Sequence, residues 1–273
     1  MTTRLQNILV YAVLTIFAAL ILYPILYTFA STFMTPEEAS AYPPRFLPGS
    51  FYLGSIITVF KLVPIATFMK NSLVVSIIIM AGQLITSSLA AYAFANIRFK
   101  GKGVLFAVFM ATMMIPWEVT IIPNYLTVKK WGWLDSMQGL TVPFLATAFG
   151  TFLLRQFFLQ LPKELFEAAR IDGCGHIRYF TRMVLPLSRP ALATLAVYAF
   201  LQSWNMYLWP LLITNSENMR TVQIGIAMLQ FEELTVWNLV LAGVTIILLP
   251  SLLILVLGLK QLVRGLTAGS VKG

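Results

Sequence analysis

Residues 8–30 read ILVYAVLTIFAALILYPILYTFA and contain no charged side chain. A membrane-spanning helix needs about 20 mostly apolar residues, so this block is long enough to cross a bilayer. It is too long for the apolar region of a cleaved signal sequence, and no small-residue cleavage pattern follows it. The stretch therefore predicts a first transmembrane helix that the protein retains.

Apolar blocks of similar length recur along the rest of the 273-residue chain, which is 59% hydrophobic and only 11% charged. Soluble domains carry roughly a quarter charged residues, so this composition is not that of one soluble core. The further blocks cover 72–95, 104–123, 139–158, 190–214 and 239–259. The sequence predicts an all-α integral membrane protein with six transmembrane helices, forming a single domain over residues 1–273.

The basic residues between these blocks predict the orientation of the chain. With both termini in the cytoplasm, 13 of the Lys and Arg residues lie inside and 6 lie outside. Cytoplasmic loops of membrane proteins carry such an excess, so the bias predicts a multi-pass protein with its N- and C-termini inside. The net charge of +9 is thereby explained by topology and by contact with membrane lipid, and no nucleic-acid partner is expected.

Several kinds of chemistry lack their residues in this sequence. One cysteine and one histidine provide neither a disulfide nor a structural metal site. The glycine-rich loop that cradles nucleotide phosphates is absent, so the chain is not expected to bind ATP. No group of acid, base and nucleophile stands out, and we expect no catalytic residue, no metal and no cofactor in this chain.

The connector after the fourth block reads LPKELFEAARIDGCGHIRYFTRMVLPLSRP over residues 161–190. Loops between adjacent elements are usually much shorter. Pro162 can open a helix and Gly173 can end it in the left-handed conformation. Helical spacing predicts one compact apolar face formed by Leu165, Ala168, Ala169 and Ile171. The connector therefore predicts a short helix at the inner face of the membrane that docks into a cytoplasmic groove.

These residues carry a resemblance to a known family. Glu167-Ala168-Ala169, then Gly173, then Leu185-Pro186, resembles the EAA motif of ABC importer permeases, with Cys174 and Met183 as modest apolar departures. Further segments are similar to the carbohydrate-uptake branch, which includes the maltose and glycerol-3-phosphate importer permeases. They are Asn71-Ser72-Leu73, Met114-Ile115-Pro116, Ser203-Trp204-Asn205 and the glycine-bracketed tail 265–273.

The resemblance implies the location, the partners and the coupling residues. It implies the bacterial inner membrane, a second permease subunit, a pair of ATPase subunits that bind ATP and Mg, and an extracytoplasmic solute-binding protein. The residues implied to couple to the ATPase are Glu167, Ala168, Ala169, Asp172, Gly173, Leu185 and Pro186, with Leu165 and Ile171 completing the docking face. The lone His176 is expected to be solvated or packed at the hinge.

A second group of residues is a candidate for the translocation path. Glu118 lies inside the third block, where an ionisable residue tends to face a cavity; alternatively, it lies near enough to the outer surface to be solvated. Polar and aromatic side chains of the fifth block either line the path or form interhelical hydrogen bonds. They are Gln202, Trp204, Asn205 and Tyr207.

The solute stays open at this stage among mono-, di- and oligosaccharides, polyols and glycerol-3-phosphate. The alternative function is a self-contained, ion-coupled secondary transporter. That class needs a coupling-ion site at the membrane midplane, which six spans with almost no buried charge fit poorly.

Overall fold

The computed structural model describes residues 2–230 and 237–267, and within them every regular element is helical. The predicted all-α membrane fold is confirmed. The last six residues of the tail motif, 268–273, lie outside the described residues. In chain order the helices are α1 Thr2–Ser31, α2 Pro36–Ala39, α3 Gly54–Leu62, α4 Ile65–Asn96, α5 Lys102–Ala111, α6 Trp117–Lys130, α7 Met137–Thr141, α8 Ala148–Phe158, α9 Lys163–Ile171, α10 His176–Tyr179, α11 Leu185–Leu187, α12 Arg189–Trp204, α13 Leu208–Ile213, α14 Val222–Gln230 and α15 Trp237–Thr267.

Three straight helices are long and apolar enough to cross a membrane, and they match the first, second and sixth predicted spans. They cover Gln6–Ser31, Ile65–Asn96 and Trp237–Leu259. The other candidate spans in the described chain are bent pairs: Lys102–Met114 with Trp117–Lys130 at 97°, Met137–Phe144 with Ala148–Phe158 at 43°, and His176–Leu187 with Arg189–Trp204 at 77°. The described residues thus hold three spans, or up to six if each bent pair counts as one.

The predicted third, fourth and fifth spans are therefore not continuous helices. The third breaks at Pro116, whose missing N–H and bulky ring disfavour a continuing helix, and the preceding Ile115 is extended. The fourth breaks at Thr147, which is also extended. The fifth begins at a bend near Ser188, where Pro190 is favoured in the first turn of α12, and it ends at Trp204. Hydropathy reports apolar content and does not register such breaks.

The chain divides into two compact units. The first comprises residues 1–66 and 224–249, and the second comprises 67–223 and 250–273. In the first unit, the hydroxyls of Thr32 and Thr245 lie 2.7 Å apart, and the Asn238 amide donates to the Ser55 hydroxyl at 3.1 Å. These bonds join α3 and the end of α1 to α15. The prediction of a single transmembrane domain stays a prediction.

In the second unit, two basic side chains cap the carboxyl end of α4. The Lys102 ammonium donates to the carbonyls of Ala95 at 3.2 Å and Ile97 at 3.0 Å. The Arg155 guanidinium donates to the carbonyl of Phe94 at 3.2 Å. The last carbonyls of a helix have no partner within the helix, and cations are favoured there by the helix dipole. The end of α4 is thereby fixed to α5 and α8.

The loop after α13 is held in place by side chains from elsewhere in the second unit. One carboxylate oxygen of Asp135 accepts hydrogen bonds from the backbone N–H groups of Asn215 and Ser216, both at 3.0 Å. The Asn71 amide donates to the carbonyl of Asn218 at 2.7 Å. These contacts satisfy backbone groups that would otherwise need water, and they order the loop.

Candidate functional site

The predicted helix of the connector forms and stops where the sequence indicates. Helix α9 begins directly after Pro162, and Gly173 has a φ of +72°. The Gly173 N–H donates to the carbonyl of Arg170 at 3.1 Å, and the Cys174 N–H donates to that of Ala169 at 2.8 Å. This pair of bonds is the Schellman motif, which requires a left-handed residue that glycine adopts without strain. The helix stop at Gly173 is confirmed.

The structure corrects the predicted apolar face of α9. Ala169 is only 5% exposed and Leu165 is half-buried, whereas Ile171 is 86% exposed. Ala168 is also exposed. With 3.6 residues per turn, Ala169 and Ile171 lie about 160° apart around the helix, and Leu165 and Ala168 lie between them. The exposed fractions place Leu165 with Ala169 and Ala168 with Ile171. The four residues therefore form an inward face and an outward face.

The inward face of α9 packs into an apolar cluster that we call the coupling core. The cluster joins α4, α8, α9, the segment His176–Leu187 and α12. Its buried members are Ala91, Tyr92, Leu154, Phe158, Ala169, Tyr179, Phe180, Val184, Ala191 and Leu195. Phe166, Cys174, Met183 and Leu185 pack against it from the edge, whereas Pro186 is exposed. The connector is thus fastened to three membrane helices of its own chain.

A polar contact joins α4 to the segment after the helix stop. The Tyr92 hydroxyl lies 2.9 Å from Nδ1 of His176, and it donates to the His176 carbonyl at 3.3 Å. The rings of His176 and Phe166 lie with their centroids 6.0 Å apart. His176 thus contacts Tyr92 and Phe166 at the hinge while it is also exposed to solvent, so neither of the two predicted alternatives is excluded.

The outward side of the connector presents residues of the EAA motif. Glu167 and Asp172 are exposed, and within residues 2–230 and 237–267 no side chain pairs with either carboxylate. Ile177 lies beyond the helix stop and is 82% exposed. Exposed apolar and acidic groups of the connector are available to a protein partner, and the coupling role of the motif stays a prediction.

A cavity of about 790 Å³ lies in the second unit, within the size range of small-molecule sites. It is lined by Glu118, Gln202, Asn205 and Tyr207, four of the five residues predicted for the translocation path. Trp204 does not line it. That side chain is buried against Phe200, with ring centroids 5.7 Å apart.

The cavity also contains polar residues that sequence reasoning missed. The Gln83 amide donates to the Phe144 carbonyl at 2.9 Å, and its buried oxygen has no hydrogen-bond partner among the described residues. Tyr198 accepts a hydrogen bond from Gln202 at 3.3 Å. An amide inside an apolar block is a signal for a cavity or an interhelical contact. The same signal in the second block would have identified Gln83.

At the cavity, Asn205 both lines the wall and forms hydrogen bonds, and its role in a translocation path stays a prediction. The Asn205 amide donates to the Leu201 carbonyl at 2.8 Å, and its oxygen accepts from Gln223 at 3.4 Å, while the residue still lines the cavity. Glu118 lies in the first turn of α6, where the helix dipole favours a carboxylate. No side chain of the described residues pairs with it, and it is exposed to the cavity.

Helices α8 and α12 connect the coupling core to the cavity. In α8, Leu154 belongs to the core and Phe149 lines the cavity. In α12, Leu195 belongs to the core and Gln202 lines the cavity. At about 1.5 Å per residue, each helix carries a displacement across roughly one to two turns. Two continuous helices therefore extend from the coupling core to the wall of the cavity.

Comparison with known proteins identifies relatives along nearly the whole chain. A family model described as "Binding-protein-dependent transport system inner membrane component" matches residues 82–267. The chain is 38% identical over 254 residues to the sn-glycerol-3-phosphate transport system permease protein UgpE of Pectobacterium atrosepticum, covering 90% of both chains. It is 36% identical over 272 residues to the protein of that name from Agrobacterium fabrum, covering 96% of both.

Two solved structures share the fold. A bacterial ABC transporter involved in the import of the acidic polysaccharide alginate gives a TM-score of 0.83 at 24% identity, with 95% of this chain and 97% of that chain covered. A bacterial alginate ABC transporter in complex with an alginate pentasaccharide-bound periplasmic protein gives 0.65 at 16% identity, with 97% and 96% covered. At these identities the likeness concerns the fold alone.

Proposed function

This chain belongs to the family of binding-protein-dependent transport system inner membrane components, and on that premise we propose that residues 161–190 couple its cavity to separate ATPase subunits. The chain is a multi-pass protein of the bacterial inner membrane and a permease subunit of an ABC importer. Its relatives are transport components and not enzymes.

The observation that carries the proposal is the continuity of α8 and α12 between the coupling core and the cavity. Closure of the ATPase subunits on α9 would shift the core, and two continuous helices would carry that shift to the cavity. Packed cores move as bodies between discrete arrangements and do not deform continuously, so the coupling is a switch between two states. Access to the cavity then alternates between the two sides of the membrane.

We assign the docking surface to the outward side of the connector. It comprises Glu167, Ala168 and Ile171 on α9 and Ile177 beyond the stop, all of which are exposed. In docked helices a few buried anchors carry most of the binding energy. Ile171 and Ile177 are the anchors in this assignment, and ATP and Mg belong to the partner. A second permease subunit completes the path, and an extracytoplasmic binding protein delivers the solute.

The orientation follows from the same arrangement. We propose that both termini and the connector lie in the cytoplasm, and the 13 to 6 excess of Lys and Arg on that side supports this orientation. In a Cys174→Ala background, Lys100→Cys should resist a membrane-impermeant maleimide added outside, and Lys130→Cys should react. Labelling of the Lys100→Cys variant from outside would contradict the orientation.

The solute of this chain is proposed to be a sugar or a sugar-like molecule. The class rests on the family and on the named relatives, which are permeases for sn-glycerol-3-phosphate. An ion-coupled secondary transporter is not favoured, because relatives at 36% to 38% identity are subunits of binding-protein-dependent systems.

The test uses the permease pair reconstituted in proteoliposomes with its ATPase and its binding protein. ATP hydrolysis should rise when the binding protein is added on the side opposite the ATPase. Ile171→Asp should abolish this stimulation and release the ATPase, whereas the exposed Lys163→Gln should change neither. Stimulation that survives Ile171→Asp would place the docking surface elsewhere. Uptake by the permeases alone under an ion gradient would overturn the proposed function.

A further inference from the structure

The charges around the cavity point away from an anionic solute. Among the described residues that line the cavity, none is Lys, Arg or His, and Glu118 is the one charged side chain. Sites for phosphate groups use Arg, Lys or a metal ion to balance the charge. A phosphate monoester carries about two negative charges near neutral pH. It would meet the Glu118 carboxylate with no side-chain cation of this chain beside it.

Helix ends at the cavity do not reverse this balance. Helices α6 and α8 both begin at its wall, because Trp117 and Ala148 are among the lining residues. Each helix amino terminus is equivalent to roughly half a positive charge. The two together amount to about one positive charge, which the Glu118 carboxylate in the first turn of α6 offsets. The wall is therefore close to neutral overall.

The remaining lining residues match the surface of a carbohydrate. Amides and hydroxyls of Gln83, Tyr198, Gln202 and Asn205 provide both donors and acceptors. Aromatic rings stand beside them, and Phe149 and Tyr198 have their centroids 4.5 Å apart. Sugars present hydroxyl edges and apolar faces, which pair with amides and with aromatic rings respectively.

We infer that this cavity takes an uncharged polyhydroxylated solute, a neutral sugar or polyol, and not the phosphate monoester named for its relatives. The inference rests on the proposed function and narrows its solute class. The Glu118 carboxylate accepts hydrogen bonds from solute hydroxyls and repels an anion, while Gln202 and Tyr198 bind hydroxyls along α12.

The experiment measures ATP-dependent uptake by the complete transporter in proteoliposomes. The uncharged probes are radiolabelled glycerol, sorbitol, maltose, sucrose and maltotriose. The charged probe, tested under the same conditions, is radiolabelled sn-glycerol 3-phosphate. We expect uptake of at least one uncharged probe at ten or more times the rate for sn-glycerol 3-phosphate. ATP-dependent uptake of the phosphate ester at a comparable rate, or uptake of no uncharged probe, overturns the inference. Uptake of any probe without ATP, above its passive entry into liposomes that lack the transporter, would instead overturn the proposed function.

Two variants test whether this cavity makes the distinction. Gln202→Leu should lower uptake of the uncharged solute about fivefold, the effect of about one lost hydrogen bond. Gln138→Leu makes the same change at an exposed position outside the cavity and serves as the control.

Glu118→Gln removes the charge and keeps the shape of the side chain. It should narrow the preference of the transporter for the uncharged solute over sn-glycerol 3-phosphate. Glu217→Gln, an exposed residue outside the cavity, should not. An unchanged preference in Glu118→Gln and unchanged uptake in Gln202→Leu would show that another surface selects the solute.

Discussion

The coupling core and the cavity lie at opposite ends of the same two helices, and they differ in their side chains and in how their helices end. The core is apolar, and its helix ends are capped by the Schellman motif at Gly173 and by Lys102 and Arg155 at α4. The cavity combines apolar and polar side chains, and part of its wall forms where helices break, at Thr147 and beside Pro116. A close-packed core transmits displacement as a unit, whereas broken helices with loosely held amides can change shape. The difference suits a rigid coupling core at one end of the helices and an adjustable cavity at the other.

The largest expected effect comes from placing a charge inside the coupling core. Ala169→Arg would bury a guanidinium in the coupling core, where an unpaired charge costs several kcal/mol and the extra volume adds about 1 to 3 kcal/mol. We expect loss of the folded permease, measured as recovery of a monodisperse peak after detergent extraction.

The neighbouring residue provides the matched control. Ala168→Arg makes the same change on the outward side of α9, so the permease should extract normally and lose only its ATPase on copurification. Equal loss of folded protein in both variants would mean that α9 has no distinct inward and outward faces.

The next effect concerns the helix stop. Gly173→Val forces a β-branched residue into a left-handed conformation at a cost of about 1 to 3 kcal/mol, so the segment after α9 should be misdirected. Solute uptake, measured in proteoliposomes, should fall severalfold. The permease itself should still fold, as measured by thermal unfolding without the ATPase.

Two glycine-site variants sharpen this prediction. Gly173→Asn should restore most of the uptake, because asparagine tolerates the left-handed region. Gly175→Ala should be mild, because Gly175 has a φ of −71° and open space around its Cα. Equal damage from Val and Asn at position 173 would argue against a conformational cause.

A smaller effect is expected where the connector contacts α4. Tyr92→Phe removes the hydroxyl that contacts His176 and keeps the ring in the core, and the loss is about 1 kcal/mol. The number of solute molecules imported per ATP hydrolysed should fall, while ATP hydrolysis continues. Tyr198→Phe makes the same chemical change at the cavity, where it should alter solute affinity and leave the ratio intact. A fall in the ratio for Tyr198→Phe alone would reverse the assignment of the two ends.

The smallest effect concerns the loop beside the cavity. Burial alone would raise the pKa of the Asp135 carboxyl, but hydrogen bonds from Ser216 and Asn215 and the charge of Arg220 outweigh it and hold the pKa below its usual value. The folded state therefore gains stability from this carboxylate above the unfolded pKa, and it loses that gain as the pH falls through the folded pKa.

Thermal unfolding of the purified permease pair measures this contribution. The melting temperature should fall slightly more steeply below about pH 4 in the wild type than in Asp135→Asn, because the variant has no carboxylate to protonate. Parallel curves for the two proteins would contradict a role for the charge. The coupling core contains no carboxylate among its described members and should not contribute to the difference.

Much of the fold could be predicted because apolar blocks of membrane length are visible without tertiary information. The stop at Gly173 was also predictable, since a glycine after an amphipathic turn is a local signal. The breaks in three spans were missed because block hydropathy averages over residues such as Pro116 and Thr147. The segment after Trp204 leaves its helix although its composition continues the block.

The site was predicted in part for a related reason. Helical periodicity gives the angle between Ala168 and Ala169 but not which of them meets the rest of the chain. That choice is made by the coupling core, whose members come from five separate segments. Gln202, Asn205 and Tyr207 were found because they are polar or amphipathic groups in an apolar block. Trp204 was placed with them, but its large ring is more stable buried against Phe200.

The helix stop has a practical consequence for spectroscopy. Cys174, the one cysteine of the sequence, donates the backbone bond that closes the Schellman motif, and its side chain packs at the edge of the coupling core. An environment-sensitive fluorophore attached to this native thiol would sit at the hinge between α9 and the segment that follows. Its emission would follow contact between the connector and the ATPase in real time, turnover by turnover, without a cysteine being introduced anywhere else in the chain.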